Sequence, residues 1–164
     1  KATAENLTVD FESNDVASFI DFFKTNIQNP ISETHYNTLS KLVESAIAND
    51  KGFIALVKQN NDIVSASFIL KSNNRLIYRT GTSNPKGKEL KAMFFLVDEL
   101  IQQHADSNYQ LDFEGSEIEG VARFYNGFGA TNNPYFYYKK YNNKLLKVLN
   151  KWKIYKPNFH VAQS

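Results

Sequence analysis

The stretch LDFEGSEIEGVARFYNGFGA, residues 111–130, carries most of the information about the fold. It opens as a strand in which apolar and acidic residues alternate, so Leu111 and Phe113 are expected on one face and Asp112 and Glu114 on the other. A Gly-Ser pair among acidic residues breaks the strand, and a short aromatic helix then ends in Gly-Phe-Gly. The pattern predicts a strand–turn–helix unit with carboxylates at the mouth of the strand.

These carboxylates allow two interpretations. A carboxylate at the mouth of a cleft can accept a proton from an ammonium nucleophile. Acidic residues and serine also stabilise a helix start without any chemistry, a role that suits Ser116 and Glu117. Asp112 and Glu114 are the two acids that capping explains least well.

Tyr125, in the following helix, is also open to two interpretations. Helical spacing directs Val121 and Phe124 toward the core and places Tyr125 one step round, where we expect it to be exposed. A hydroxyl in that position can protonate a leaving thiolate. The structural alternative is a core tyrosine whose hydroxyl stays solvated.

The length and composition of the chain suit one domain of ordinary size, or one domain with a tail. It has 164 residues, 42% of them hydrophobic and 14% aromatic, with no cysteine. A chain without cysteine has no disulfide framework, thiolate nucleophile or cysteine-based metal site, which agrees with a reducing compartment; we expect a cytoplasmic location. The three histidines show no ligand spacing, so no metal is expected.

Neither a membrane span nor a secretion signal is apparent. No apolar run approaches the roughly 20 residues that a spanning helix needs, and the start KATAENLTVDF lacks a basic segment followed by an apolar one. Because the chain begins at Lys1, we interpret it as a piece of a longer protein.

Charge is divided unevenly along the chain. Residues 1–119 carry 11 Lys and Arg against 17 Asp and Glu, whereas residues 120–164 carry 8 Lys and Arg and no acid. The basic end could face phosphates, a membrane surface or an acidic partner. A solvated lysine-rich tail is the interpretation that we favour.

Hydrophobic periodicity predicts a mixed α/β sheet in one domain, residues 1–141, followed by a basic helix and tail, residues 142–164. Ser13 or Asn14 is expected to cap the first helix and Ser32 the second, and buried helix stripes are expected to include Leu42 and Phe94. The predicted elements are strand 6–12, helix 13–27, helix 32–50, strands 52–59, 63–72 and 75–83, helix 87–105, strand 109–114, helix 119–128, strand 133–142 and helix 142–152.

A second candidate site is the turn TGTSNPKGKEL, residues 80–90, which leads into the long helix. Free N–H groups at a helix start attract phosphate, glycines allow unusual backbone angles, and lysines add positive charge. The alternative is an ordinary Asn-Pro-Lys-Gly turn that only starts a helix. The candidate phosphate-binding residues are Gly81, Thr82, Ser83, Lys86, Gly87 and Lys88.

The motif ARFYNGFGA is similar to the signature "A..FYxxxGF" that ends the Gcn5-related N-acetyltransferase (GNAT) fold, also called the acyl-CoA N-acyltransferase fold. The order of elements over residues 7–141 resembles the same fold. The longer run LDFEGSEIEGVARFYNGFGA resembles a bacterial branch, common in Bacteroidetes, that is related to the Fem-type and cellulose-biosynthesis-type acyltransferases. Members of that branch often carry two such domains in tandem, and this chain would be the C-terminal one.

The resemblance implies direct acyl transfer from acetyl-CoA or another acyl-CoA to an amine. In such enzymes the turn after the fourth strand binds pyrophosphate, which here corresponds to Ser83 to Lys88. The tyrosine of the "FY" pair protonates the CoA thiolate, here Tyr125, and a carboxylate near the fifth strand takes the amine proton, here Asp112 or Glu114. Glu89 lies where the pyrophosphate pattern has a small residue, and its charge would repel a pyrophosphate.

The resemblance leaves three functions open. The first is transfer from acyl-CoA to a small-molecule or peptide amine. The second is Fem-type aminoacyl transfer from aminoacyl-tRNA to a cell-wall precursor. The third is a GNAT-shaped domain without catalysis, which pairs with an upstream GNAT-like domain or a second copy through NPYFYYKKYN and the tail.

Overall fold

The computed structural model of the chain describes residues 6–115, 118–134 and 159–162. The chain forms two compact units, Lys1–Leu111 and Asp112–Ser164, so the boundary falls inside the fifth strand. The elements are β1 (Leu7–Ser13), α1 (Val16–Asn26), α2 (Glu33–Ala48), β2 (Gly52–Gln59), β3 (Asp62–Ser72), β4 (Arg75–Ser83), α3 (Pro85–Glu89), α4 (Ala92–Gln103), β5 (Gln110–Asp112), α5 (Glu119–Asn126), β6 (Thr131–Pro134) and β7 (Phe159–Ala162).

The first unit is built on a sheet in which β1, β2, β3 and β4 pair consecutively and antiparallel, with β5 next to β4. The hairpin expected between β2 and β3 is confirmed. Asn60 and Asn61 both have positive φ, 49° and 74°, as the tightest hairpin turn requires. Asn73, with φ 51°, turns the chain between β3 and β4.

The first two helices begin at side-chain caps. Ser32 caps α2, as predicted, with its side chain accepting a hydrogen bond from the N–H of His35. The predicted cap of α1 is wrong, because Asp15 holds that position instead of Ser13 or Asn14. The Asp15 carboxylate accepts hydrogen bonds from both the backbone N–H and the hydroxyl of Ser18, at 2.9 and 2.6 Å, and a carboxylate at a helix start also favours the helix dipole.

The core of this unit lies between the sheet and its helices. Successive residues of β2 are buried because helices cover both faces: Ile54 and Leu56 join a cluster with α1 and α2, while α4 also contacts β2. Two stripe predictions are wrong, since Leu42 and Phe94 are 40% and 44% exposed. The buried cluster consists of Phe19, Val43, Ala46, Ile54, Leu56, Ala66 and Phe68.

The long helix predicted over 87–105 is interrupted. Lys91 has φ 55°, in the left-handed region, and it separates α3 from α4. The Lys91 carbonyl accepts the N–H groups of Phe94 and Phe95 and so starts the second helix. Periodicity alone does not reveal such a break, because the apolar spacing continues across it.

The second unit contains α5 and the pairing of β6 with β7, which is antiparallel. Asp112 of β5 pairs with Ala162 of β7. The tail predicted for the C-terminus is therefore wrong at residues 159–162, which form a strand. Most of the predicted strand 133–142, the predicted helix 142–152 and the predicted boundary after residue 141 lie outside the described residues.

Candidate active site

The N-terminal part of the predicted phosphate-binding turn is a strand. Gly81, Thr82 and Ser83 are the last residues of β4 and pair with Ser67, Ala66 and Ser65 of β3. The Thr82 hydroxyl donates to the carbonyl of Asn26 at 2.9 Å. The buried Ser83 hydroxyl hydrogen-bonds to that of Ser65. Both hydroxyls that the sequence suggested for a ligand therefore have protein partners.

Gly81 has a packing role. A Cβ at this position would lie 2.2 Å from the Tyr78 hydroxyl and 3.0 Å from a Met93 methyl carbon. The Tyr78 hydroxyl donates to the Met93 sulfur at 3.1 Å, which anchors α4 to β4. The register shift opposite Phe68 makes Arg79 the extra residue of a β-bulge, and bulges bend the strand that carries them.

Asn84 organises the turn that follows β4. Its N–H donates to Val64 O at 3.1 Å and its amide nitrogen donates to Ile63 O at 3.2 Å, so the turn is tied to the start of β3. Its amide oxygen accepts the N–H of Gly87 at 2.7 Å. The arrangement is an N-cap followed by proline at the first helical position, as in the structural alternative stated for this turn.

Gly87 lies where α3 contacts β3 most closely. It is buried, and a Cβ would lie 2.0 Å from the Val64 carbonyl oxygen. The sequence therefore singled out a glycine that is required, but for close backbone packing. Its N–H is engaged by Asn84 in this structure.

The charged residues of this turn are exposed. Lys86 pairs with Glu89 at 3.3 Å, so the glutamate expected to repel a pyrophosphate has a lysine beside it. Exposed pairs of this kind are worth at most about 1 kcal/mol. Lys88 also lies on the surface.

The second group of candidate residues belongs to the other unit. The predicted strand is shorter than expected, and β5 ends at Asp112. The alternation of burial is confirmed, with Leu111 and Phe113 buried and Asp112 and Glu114 half-buried. The Asp112 carboxylate accepts the N–H of Glu114 at 2.9 Å.

Tyr125 is buried, contrary to the exposed position expected from helical spacing. Its ring stacks on Phe113, with centroids 4.4 Å apart and an interplanar angle of 18°. Among the described residues, Phe124 and Phe128 extend this stack to a cluster of four rings. The helix α5 turns its aromatic side toward Phe113, and Tyr125 is the best buried residue on that side.

Burial raises the pKa of Tyr125 to about 12, and the negative charge of Glu114 contributes in the same direction. Both effects disfavour the tyrosinate. The phenol is therefore protonated at any physiological pH, as a proton donor must be.

This shift predicts a loss of stability at alkaline pH. The unfolded chain loses the Tyr125 proton near pH 10 and the folded chain near 12, so stability present below pH 10 declines between those values. From pH 9 to 11, the free energy of unfolding should fall by about 1 kcal/mol more in the wild type than in Tyr125→Phe. Urea unfolding of the two proteins measures the difference, and the other eight tyrosines cancel in the comparison. Parallel pH profiles would contradict it.

The helix α5 begins at Glu119. Its N-cap is Ile118, which makes no side-chain cap bond, while Arg123 pairs with Glu119 at 2.8 Å. Ser116 and Glu117, the predicted caps, lie outside the described residues.

No metal centre is found among the described residues, where no three His, Asp or Glu side chains come together. His35 hydrogen-bonds to Ser32, and His104 to the carbonyl of Leu100. The side chain of His160 is not among those described. No helix in the described ranges is both long and apolar enough to cross a membrane.

The arrangement of strands and helices is that of the GNAT acetyltransferases, which confirms the predicted fold class. The ribosomal-protein-S18-alanine N-acetyltransferase of Escherichia coli is similar, with TM-score 0.60, 12% identity, and coverage of 95% of this chain and 90% of that one. An acetyltransferase of Streptococcus agalactiae has TM-score 0.63 and 13% identity, covering 97% and 98%. Arabidopsis thaliana Naa50, in complex with the bisubstrate analogue CoA-Ac-MVNAL, has TM-score 0.60 and 14% identity, covering 97% and 99%.

Comparisons of the amino-acid sequence do not assign the chain to a family. No family model matches it, and no curated protein matches it. The comparisons therefore establish the fold, whereas the roles of individual residues depend on the site's own geometry.

Proposed function

We propose that this chain is an N-acyltransferase that moves an acyl group from acyl-CoA to an amine by direct attack. The observation that carries the proposal is the strand–turn–helix unit of residues 110–126, in which a buried, protonated Tyr125 stacks on Phe113 and is influenced by the charge of Glu114. A phenol and carboxylates carried on one strand–turn–helix unit suit a reaction in which one proton is removed and another is supplied. The GNAT fold supports this reaction class.

The chemistry needs few protein groups. A carboxylate after β5, Asp112 or Glu114, takes a proton from the ammonium of the acceptor, and the neutral amine attacks the thioester carbonyl. As the carbon–sulfur bond breaks, Tyr125 donates its proton to the thiolate, and the tyrosinate regains a proton from the second N–H of the attacking amine. A phenol with a pKa of about 12 recovers its proton readily at neutral pH.

For the donor, we propose that the segment from Gly81 to Lys88 lies along the diphosphate of CoA, with Lys86 and Lys88 providing positive charge. The CoA-containing analogue bound to the similar Naa50 supports acyl-CoA as the donor. Because Asn84 occupies the Gly87 N–H, the lysine side chains are expected to contribute more than the backbone. The acceptor is a small-molecule or peptide amine.

Acetyl-CoA at 1 mM is expected to raise the melting temperature by about 5–10 °C if its dissociation constant is near 10 μM. CoA thiol released in the presence of an amine library reports turnover, and the absence of cysteine from the chain removes the protein background from thiol detection. Acetyl phosphate in place of acetyl-CoA is the control. If millimolar acetyl-CoA causes no thermal shift and no thiol release, the proposal is disproved.

A second candidate, a GNAT-shaped domain without acyl-CoA turnover, is favoured by one observation. The hydroxyls of Thr82 and Ser83, the N–H of Gly87 and the charge of Lys86 all have partners within the chain. On that proposal the domain pairs with an upstream GNAT-like domain or a second copy. Turnover by a longer protein that is lost only when its other half is removed would favour this candidate. The Fem-type alternative with aminoacyl-tRNA stays a prediction.

A further inference from the structure

Met93 carries the only sulfur atom of the chain, since the sequence has one methionine and no cysteine. It lies in the first turn of α4 and is half-buried, so part of its side chain is open to solvent. Thiols and thioethers are the side-chain groups to which mild oxidants transfer oxygen. Oxygen transfer to sulfur is therefore confined to this residue.

The thioether of Met93 is held in a close contact between α4 and β4. The hydroxyl of Tyr78, a buried residue, donates a hydrogen bond to the Met93 sulfur at 3.1 Å. Gly81 closes the contact on the side of the strand. A Cβ at Gly81 would clash with the Tyr78 hydroxyl and lie 3.0 Å from the Met93 methyl carbon. The three residues thus fill a space that does not admit one further carbon atom.

The β-bulge in β4 places Tyr78 and Gly81 on the same face of the strand. Residues three apart in a regular strand point to opposite faces. Here Tyr78 pairs with Ile69 of β3. Gly81 pairs with Ser67, which is two residues from Ile69 and therefore on the same face. The extra residue of the bulge causes this change of face, so the contact with the start of α4 depends on the bulge.

Methionine sulfoxide does not fit this contact. With hydrogen peroxide the O–O bond breaks, the sulfur gives up two electrons and gains one oxygen, and the other oxygen leaves as water. The product is a polar and chiral side chain in place of an apolar one. Because the contact requires a glycine even for the atoms now present, the added oxygen must displace the Tyr78 hydroxyl or the first turn of α4.

We propose that Met93 is a reversible oxidation site, and that its sulfoxide opens the contact that holds the start of α4 against β4. This modification does not depend on acyl transfer, because the residues involved lie within the first unit. It affects the candidate donor site, since Gly81 begins the segment that is proposed to lie along the diphosphate of CoA.

Treatment of the folded protein with hydrogen peroxide tests the site directly. Peptide mass spectrometry should show one added oxygen on Met93, and the melting temperature should fall by about 3–8 °C, the effect of an overpacked contact in a chain of this size. The two methionine sulfoxide reductases, one for each epimer, with a dithiol as reductant should restore both the mass and the melting temperature.

Two variants separate the Met93 contact from other effects of peroxide. Met93→Leu has a similar volume and no sulfur, so peroxide should leave its melting temperature unchanged. Tyr78→Phe lacks the hydroxyl that the new oxygen displaces. Oxidation should therefore lower the melting temperature of Tyr78→Phe by less than half the wild-type shift, with each protein compared with its own unoxidised form.

Three results would overturn the oxidation site. They are a Met93 that stays unmodified in the folded protein, an oxidised wild type that melts like the untreated one, and an equal loss of stability in Met93→Leu. An equal shift in Tyr78→Phe would show that the sulfoxide does not act through this contact.

The link to the donor site has its own measurement. The rise in melting temperature caused by acetyl-CoA should be at least halved in the oxidised wild type, and an undiminished rise overturns this link. If acetyl-CoA causes no rise before oxidation, the proposed function fails, whereas the added mass and the change in melting temperature still decide the oxidation site.

Discussion

Replacing Gly87 with alanine is expected to destabilise the chain by about 3 kcal/mol or more, since overpacking against a rigid element is among the costlier core changes. The new Cβ would lie 2.0 Å from the Val64 carbonyl oxygen and 2.8 Å from its carbonyl carbon. Both atoms belong to the backbone of β3, which is paired on both sides, so the strand cannot move without breaking its ladders. The free energy of unfolding in urea measures the effect.

Two other glycines provide matched controls. A Cβ on Gly120 meets nothing within 4 Å, so alanine there should add about 0.5–1 kcal/mol of helix stability. A Cβ on Gly81 meets chiefly the Tyr78 hydroxyl, the end of a side chain that can rotate away, so Gly81→Ala should fall between the two. If Gly87→Ala unfolds at the same urea concentration as the wild type, the close contact between α3 and β3 is wrong.

The Gly87 substitution also concerns the donor. The Asn84 cap and the two lysines are carried on the segment that this contact positions against β3. Any folded Gly87→Ala protein is therefore expected to bind acetyl-CoA more weakly than the wild type. The acetyl-CoA-dependent rise in melting temperature, compared between the Gly87→Ala and Gly81→Ala proteins, measures this effect.

Replacing Tyr125 with phenylalanine is expected to lower kcat about 10²- to 10⁴-fold, the usual contribution of a positioned proton donor. The substitution keeps the ring that stacks on Phe113 and removes only the hydroxyl. Because the raised pKa keeps the hydroxyl protonated, the loss should be the same throughout pH 6 to 9. Steady-state thiol release across that range measures it.

Tyr36→Phe is the control for this experiment. Tyr36 is as well buried as Tyr125, but it belongs to the first unit, where its hydroxyl accepts the N–H of Ile31 at 3.3 Å. Its loss should leave kcat unchanged. If Tyr125→Phe retains full turnover while the wild type is active, Tyr125 is a core residue, and the leaving thiolate is protonated by solvent.

Local sequence signals predicted the fold well where short-range chemistry decides it. The Ser32 cap, the Asn60–Asn61 hairpin and the alternation of Leu111 and Phe113 each depend on residues a few positions apart. Signals of this kind survive in any tertiary context, because the hydrogen bonds and φ angles involved are local. The elements they define give the order of the GNAT fold.

The predictions of helix ends were wrong where more than one residue could have begun or ended the helix. Asp15 replaces Ser13 and Asn14 as the cap of α1; all three are good cap residues, and β1 continues through Ser13. The break at Lys91 left the apolar spacing intact, so no local signal marked it.

The candidate site divides in the same way. Sequence alone singled out the candidate residues after β5, because acids at a strand end followed by a helical tyrosine form a local pattern. Tertiary structure decided their states. Folding buries Tyr125 against Phe113. The Asp112 carboxylate accepts a hydrogen bond from the Glu114 N–H, and the Asn84 side chain accepts one from the Gly87 N–H. The physical reason is that the sequence gives the type of each residue. The burial, protonation and remaining hydrogen-bonding capacity of a residue depend on neighbours that come close only when the chain folds.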